Sequence, residues 1–268
     1  QKEDEIKLLR HEGIDYAGGE ITVIQLLERY ISLKRGVRYN TTTGYKFVMS
    51  VVKKESFGQR IIRDIKMSDA KLWFIKFYDD GYSYSTIASI RGVVKPAFQM
   101  AYTEDIIRRN PFEFRLDIIP NNTQKRVALS QKQQEQFLEF TKNDKHFCRY
   151  LDEIKILLGT GMRISELCGL TIADLDFDRR RIRVDHQLVR TQDGKRYIEK
   201  TKTECGCRYI PMSDEVYESF YNILSNRKKQ KKEIMIDGYA GFILLDKNGN
   251  PKVAMHVQKV VQRLCEKY

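Results

Sequence analysis

Nine consecutive residues, Gly159-Thr160-Gly161-Met162-Arg163-Ile164-Ser165-Glu166-Leu167, place an arginine directly after a glycine-bearing bend. An arginine delivered from a bend, rather than from the middle of a helix, can be fixed against a single ligand. Its planar guanidinium donates two parallel hydrogen bonds to a phosphate and stays charged in any surroundings, so Arg163 is suited to phosphate chemistry. The plainer alternative is a helix-to-helix turn with a surface arginine and a C-cap glycine, and the local sequence leaves both open.

The other chemistry-bearing residues narrow the field. The five cysteines, Cys148, Cys168, Cys205, Cys207 and Cys265, are odd in number and scattered, which argues against a disulfide framework. Cys205-Gly206-Cys207 is a suggestive pair, yet the four histidines lie at 11, 146, 186 and 256 and supply no second half for a metal site. No metal or other cofactor is expected, which disfavours a metal-dependent phosphatase or nuclease.

Lys and Arg number 48 against 36 Asp and Glu, a net charge of +12 that attracts polyanions. Basic clusters occur at Lys34, Arg35 and Arg38, at Arg91 and Lys95, at Lys125 and Arg126, and at Arg179, Arg180 and Arg181. These are the candidate DNA-backbone contacts. Spread over both halves of the chain and joined by a flexible linker, they suit a clamp on a duplex. No stretch approaches the roughly 18 uncharged apolar residues of a membrane span. The first ten residues are mostly charged and do not read as a secretory signal, so no membrane and a cytoplasmic setting are expected.

The elements that must position these residues follow from periodicity. Val23, Leu27, Tyr30 and Ile31 recur at helical spacing behind a Thr22/Gln25 capping box, which predicts a helix over 21–35. Further helices are predicted over 42–54, from the Ser68-Asp69 cap through Trp73, Phe74 and Phe77 to Gly81, and over 85–102 with Pro96 inside. A short helical piece follows at 105–109 before Asn110-Pro111 breaks the chain. Residues 20–115 thus read as a helical bundle, 1–19 as a linker remnant, and 116–128 as a linker lacking apolar periodicity.

A Ser130/Gln133 capping box opens the second domain, 129–268. Helices are expected around Phe137 to Phe140, over 151–158, briefly at 162–167, over 214–229 and over 253–267. Strands are expected at 181–186, 195–201 and 208–211. The fold class is therefore mainly α with a small antiparallel β-sheet.

The segment from Tyr150 to Asp176 resembles the first arginine box of the tyrosine recombinases: a Thr-Gly-x-Arg-Ile-Ser-Glu-Leu core, then Leu170 and Asp174-Leu175-Asp176. The likeness extends to Asn110-Pro111-Phe112, Leu129-Ser130 and Tyr209-Ile210-Pro211. Asp185-His186-Gln187-Leu188 and Lys200-Thr201-Lys202-Thr203 are similar to integrases of conjugative transposons of Gram-positive bacteria. The resemblance implies a helical, SAM-like core-binding domain followed by an α+β catalytic domain. It places the first catalytic arginine on Arg163, a supporting acid on Glu166, and the general-acid lysine on Lys202, with Lys200 as the alternative. A carboxylate one helical turn from Arg163 can orient it, and a protonated hairpin lysine can give its proton to a departing 5'-oxygen.

The implied function is that of a site-specific DNA recombinase of a mobile element, cutting and rejoining strands through a 3'-phosphotyrosyl ester without metal or ATP. The implied partners are double-stranded DNA at transposon ends or attachment sites, sister subunits in a tetramer, and an excisionase or host DNA-bending protein. The setting would be the bacterial cytoplasm, on the nucleoid. The family also requires a second box with His-x-x-Arg, a later His or Trp, and a nucleophilic tyrosine. These are expected beyond the last helix, so the catalytic domain reads as incomplete and the chain as inactive in cleavage. His256-Val257-Gln258-Lys259 reads as helix surface, and Tyr268 lacks the preceding box. The alternative reading is a non-catalytic DNA-binding protein on the same scaffold.

Overall fold

In the computed structural model of the chain, which describes residues 20–201, 204–227 and 233–268, the Thr22/Gln25 box forms as its sequence dictates. Gln25 Oε1 accepts from Thr22 N at 2.8 Å and Thr22 Oγ1 accepts from Gln25 N at 3.3 Å. These bonds start α1 (Val23–Ser32), whose Val23, Leu26 and Leu27 turn inward. Next come α2 (Tyr39–Lys54), α3 (Met67–Asp79) and α4 (Tyr84–Thr103), the last running through Pro96. α3 starts before the expected Ser68-Asp69 cap. Asp69 sits inside its first turn and accepts from Lys66 N at 2.9 Å.

The chain divides into two units at Arg126/Val127. The first unit closes over an aromatic centre in which Phe57 stacks on Trp73 with centroids 4.3 Å apart, and Phe112 packs against Trp73, Phe74 and Phe98. Asn110, buried, ties the breaker segment to α4. Its Nδ2 donates to Lys95 O and Gln99 Oε1, and its Oδ1 accepts from Phe112 N. The helical piece expected at 105–109 is absent. Asp105 adopts a left-handed φ of 55° and the chain turns there, with Ile106 N donating to Ala101 O, which ends α4 rather than opening a new helix. Leu116 and Ile119, in the stretch read as linker, are buried in this same core.

In the second unit the Ser130/Gln133 box opens α5 (Gln131–Asn143), followed by α6 (Leu151–Thr160) and the one-and-a-half-turn α7 (Ile164–Gly169). Among the described residues the strands β1 (Leu175–Asp176), β2 (Arg181–Val184), β3 (His186–Arg190), β4 (Arg196–Lys200) and β5 (Arg208–Pro211) follow. They form two antiparallel sheets, β1-β2-β5 and a β3-β4 hairpin. The expected single strand over 181–186 is in fact two, because the chain changes sheets at Asp185: Val184 pairs with Arg208, and His186 pairs with Lys200. α8 (Asp214–Ser225) is shorter than the expected 214–229, residues 228 and 229 lying outside the described ones. α9 (Ala254–Lys267) completes the unit.

α6 approaches α8 so closely that a Cβ on Gly159 would meet Val216 Cγ2 at 2.6 Å. Ile156, Leu167, Ile182, Val184, Val216 and Phe220 fill the core between the helices and the three-stranded sheet. Among the described residues no helix is long and apolar enough to cross a membrane.

Candidate active site and nucleic-acid interface

α6 ends because Gly161 takes a left-handed φ of 61°, its N–H returning to Leu157 O at 3.0 Å. Met162 then plugs into the core at 5% exposure, and Arg163 follows in extended conformation as the N-cap of α7. The glycine bend and the buried methionine together fix the direction in which Arg163 leaves the backbone. Its side chain is 73% exposed, so most of the guanidinium faces solvent.

One turn on, Glu166 is almost wholly buried, its side chain 3% exposed. Its Oε2 accepts from Arg163 N at 2.9 Å and its Oε1 from Arg163 Nη1 at 2.7 Å, closing the first turn and holding the guanidinium at once. On the far side Arg208, in β5, donates Nη2 to Oε2 at 2.8 Å and Nη1 to Oε1 at 3.3 Å. Burial alone would push the Glu166 carboxyl up. The Arg208 hydrogen bonds, with those from the Arg163 N–H and guanidinium, outweigh it and hold the group below the usual glutamate range. The result is a buried carboxylate between two arginines, one of them open to solvent.

α7 is locked onto β3. Ser165 Oγ donates to Gln187 Oε1 at 2.8 Å, and Gln187 Nε2 to Glu199 Oε2 on β4 at 2.7 Å. Gly169 lies against the backbone of Gln187 and Leu188, where a Cβ would come within 2.9 Å of Leu188 N. His186, 1% exposed, sets its Nε2 2.8 Å from Gly169 O and its Nδ1 2.5 Å from Asp185 Oδ1. The β3-β4 hairpin, which ends at Lys200 and leads toward Lys202, is thereby held to the helix that follows Arg163. Lys200 is exposed at the end of β4, and Lys202 lies outside the described residues.

Among the described residues one trio, Asp174, Asp185 and His186, has the proximity to hold a metal. Its atoms are engaged otherwise. Asp174 Oδ1 takes two hydrogen bonds from Arg183, and Oδ2 accepts from Thr171 N and Oγ1. A buried carboxylate saturated by N–H and O–H donors is a poor cation ligand.

The basic candidates fall into two groups. Lys34, Arg35, Lys125, Arg126 and Arg179 are exposed, Lys34 lying over the Tyr30 ring at 4.5 Å, and Arg38 is half-buried at the start of α2. Arg91, Lys95, Arg180 and Arg181 make the following contacts within the chain. Arg91 donates to the carbonyls of Phe112 and Phe114, and Lys95 pairs with Glu113 at 2.7 Å. Arg180 pairs with Asp214 and covers the Tyr217 ring, and Arg181 pairs with Asp176 at 3.0 Å and covers Tyr209.

The sequence reading passed over Arg208. A signal for it existed: Arg208 and Ile210 share one face of β5, and an arginine on the core-facing side of a strand needs a buried acid. It also passed over His146-Phe147-Cys148-Arg149, which has His-x-x-Arg spacing but is closed on itself, Arg149 Nη2 lying 2.6 Å from His146 Nδ1. Tyr268 packs edge-on against Phe137 and Phe140.

Residues 128–268 match the phage integrase family. The chain is 42% identical over 259 residues to the transposase from transposon Tn916 of Enterococcus faecalis, covering 96% of this chain and 64% of that protein. It thus spans about two thirds of that relative's length. The solved Tn1549 transposon integrase, in complex with a circular intermediate DNA, superposes with a TM-score of 0.88 at 42% identity, covering 92% of this chain and 79% of the other. A lambda integrase dimer bound to a COC' core site matches in fold, with a TM-score of 0.62 at 16% identity over 91% of this chain and 77% of that one.

Proposed function

This chain belongs to the phage integrase family, and on that premise we propose that it serves a site-specific recombinase of a transposon, cutting and rejoining DNA strands through a 3'-phosphotyrosyl intermediate. The observation that carries the proposal is the pairing of Arg163 with Glu166. A guanidinium 73% exposed, anchored through one Nη by a buried carboxylate, keeps its remaining donors for a ligand. Those donors suit the non-bridging oxygens of a scissile phosphate, on which negative charge grows as a nucleophile attacks phosphorus.

In the proposed reaction a tyrosine hydroxyl loses its proton and attacks phosphorus. The P–O bond to the 5'-oxygen breaks, and the departing oxygen takes a proton from a lysine, either Lys202 in the β4–β5 connection or Lys200 at the end of β4. Rejoining reverses the sequence, the 5'-hydroxyl of a partner strand displacing the tyrosine. The ester conserves the bond energy, so ATP is unnecessary.

Double-stranded transposon-end DNA is the proposed substrate, in line with a complex of the Tn1549 integrase with transposon right end DNA. A lambda integrase tetramer has been solved on a Holliday junction, which supports, at the level of fold, assembly as a tetramer. We assign phosphate contacts to Lys34, Arg35, Arg38, Lys125, Arg126 and Arg179. Arg91, Lys95, Arg180 and Arg181, which also have partners within the chain, are proposed for the same role. The proposed setting is the bacterial cytoplasm, with an excisionase or DNA-bending protein as accessory.

The test is a nicked suicide substrate carrying a transposon end, incubated with the protein as its gene encodes it, without divalent metal or ATP. A protease-sensitive adduct on the 3' side of the break is expected. Binding without any adduct would overturn the reading in favour of a DNA-binding protein.

A further inference from the structure

Arg163 has its observed side-chain anchor in Glu166, and Glu166 has a second cation on its other side. The carboxylate accepts from four donor atoms: Arg163 N and Nη1, and Arg208 Nη1 and Nη2. Arg208 is the more firmly placed of the two arginines. Its side chain is 31% exposed against 73% for Arg163, its Nη1 also donates to Gly206 O at 3.2 Å, and its backbone is paired to Val184 in the three-stranded sheet. A side-on, two-nitrogen grip leaves the carboxylate little freedom to rotate. The grip spans 42 residues and joins β5 to α7.

We propose that Arg208 is a positioning residue for strand cleavage: through Glu166 it sets the direction of the Arg163 guanidinium and remains as counter-ion while Arg163 turns its charge to the phosphate. This rests on the reading of Arg163 as the phosphate-binding arginine. Once Arg163 shares its donors with a phosphate, a buried carboxylate with no other cation would be left under-compensated and would take up a proton. Arg208 prevents this. It touches neither phosphate nor nucleophile, so its influence is indirect.

The titration behaviour gives a readout that loss of packing would not. Glu166 is held below the ordinary range against the opposing effect of burial, with the Arg208 hydrogen bonds chief among the lowering causes. Without Arg208 the carboxyl rises, and its ionised form, which holds Arg163, is lost as pH falls through that raised value. Cleavage should then fail at a higher pH on the acid side than in the parent protein.

The experiment measures single-turnover cleavage against pH, and duplex binding, for the protein as its gene encodes it and for Arg208→Met, Arg208→Lys, Glu166→Gln, Arg163→Lys and Glu166→Gln/Arg208→Met. Arg208→Met should lose on the order of 10²-fold in cleavage near neutral pH, the size of effect that small misplacement of a reacting group produces. Its binding should change less than about threefold, since one indirectly acting residue is a small part of many phosphate contacts. Its acid limb should move to higher pH, Arg208→Lys should recover part of the loss, and the double variant should be no worse than Glu166→Gln alone. An unmoved acid limb, or losses that multiply in the double variant, would overturn the proposal. Should Arg208→Met fail to fold, the limb of Arg208→Lys decides in the same way. If Arg163→Lys cleaves normally, the underlying reading fails; if Arg163→Lys is defective while Arg208→Met is not, this inference alone fails.

Discussion

Replacing Gly169 with alanine would put a Cβ 2.9 Å from Leu188 N and 3.1 Å from the Cα and C of Gln187, all backbone atoms that cannot swing aside. An ordinary contact is nearer 3.4–4.0 Å, so α7 and β3 must separate by roughly half an ångström. Overpacking of this kind costs about 1–3 kcal/mol. The separation also stretches the contact between His186 Nε2 and Gly169 O, for about 1 kcal/mol more. A total of about 2–4 kcal/mol should lower the melting temperature of the unit spanning 127–268 by about 6–12 °C, at roughly 3 °C per kcal/mol for a domain of this size. Calorimetry on residues 1–268 is the assay. Gly92→Ala is the control: nothing lies within 4 Å of its added Cβ in the middle of α4, so it should stabilise the first unit by about 0.5–1 kcal/mol. A Gly169→Ala protein melting within a degree or two of the parent would refute the claim that this approach is tight.

Three further outcomes are expected. Residues 1–268 should bind duplex DNA with an affinity whose logarithm falls with log salt by about 0.9 per neutralised phosphate, and a flat line in fluorescence anisotropy would remove the backbone contacts. Asp144 is lowered to about 2 by the hydrogen bond from Lys267 and by the backbone N–H groups of Phe147 and His146. Its stabilising contribution is full above its unfolded value and lost as pH falls toward 2, so Lys267→Met should move the acid-unfolding midpoint to higher pH, and an unchanged midpoint would contradict the assignment. Burial pushes the Cys168 thiol up to about 12, whereas the other four cysteines are exposed. A disulfide reagent should therefore label Cys148, Cys205, Cys207 and Cys265 in the native protein and Cys168 after unfolding, and rapid native labelling of Cys168 would count against its burial.

What could be read from the sequence was local. The capping boxes at Thr22 and Ser130 use residues three apart, and the bend before Arg163 needs one glycine. The arginine box itself, from Thr160 to Leu167, is contiguous and carried the family likeness. What could not be read depends on partners far along the chain. β3 separates from β2 at Asp185 because His186 turns to face Gly169 O, 17 residues earlier, and no periodicity encodes that contact. Arg208 finds Glu166 across 42 residues. Arg91 reaches the carbonyls of Phe112 and Phe114, beyond the Asn110-Pro111 break. The expected helix at 105–109 failed because Asp105 takes the left-handed conformation that short polar side chains tolerate.

Arg163→Lys in the protein as its gene encodes it decides whether Arg163 is the phosphate-binding arginine of a strand-transfer site. Cleavage of a suicide substrate is measured at protein concentrations that saturate the DNA. Lysine keeps the charge but loses the planar fork, so cleavage should fall on the order of 10² to 10³-fold while binding stays close to that of the parent. Cleavage at the parental rate would make Arg163 a turn residue, and an equal loss of binding and cleavage would make it a structural one; either result rules out the phosphate-binding role.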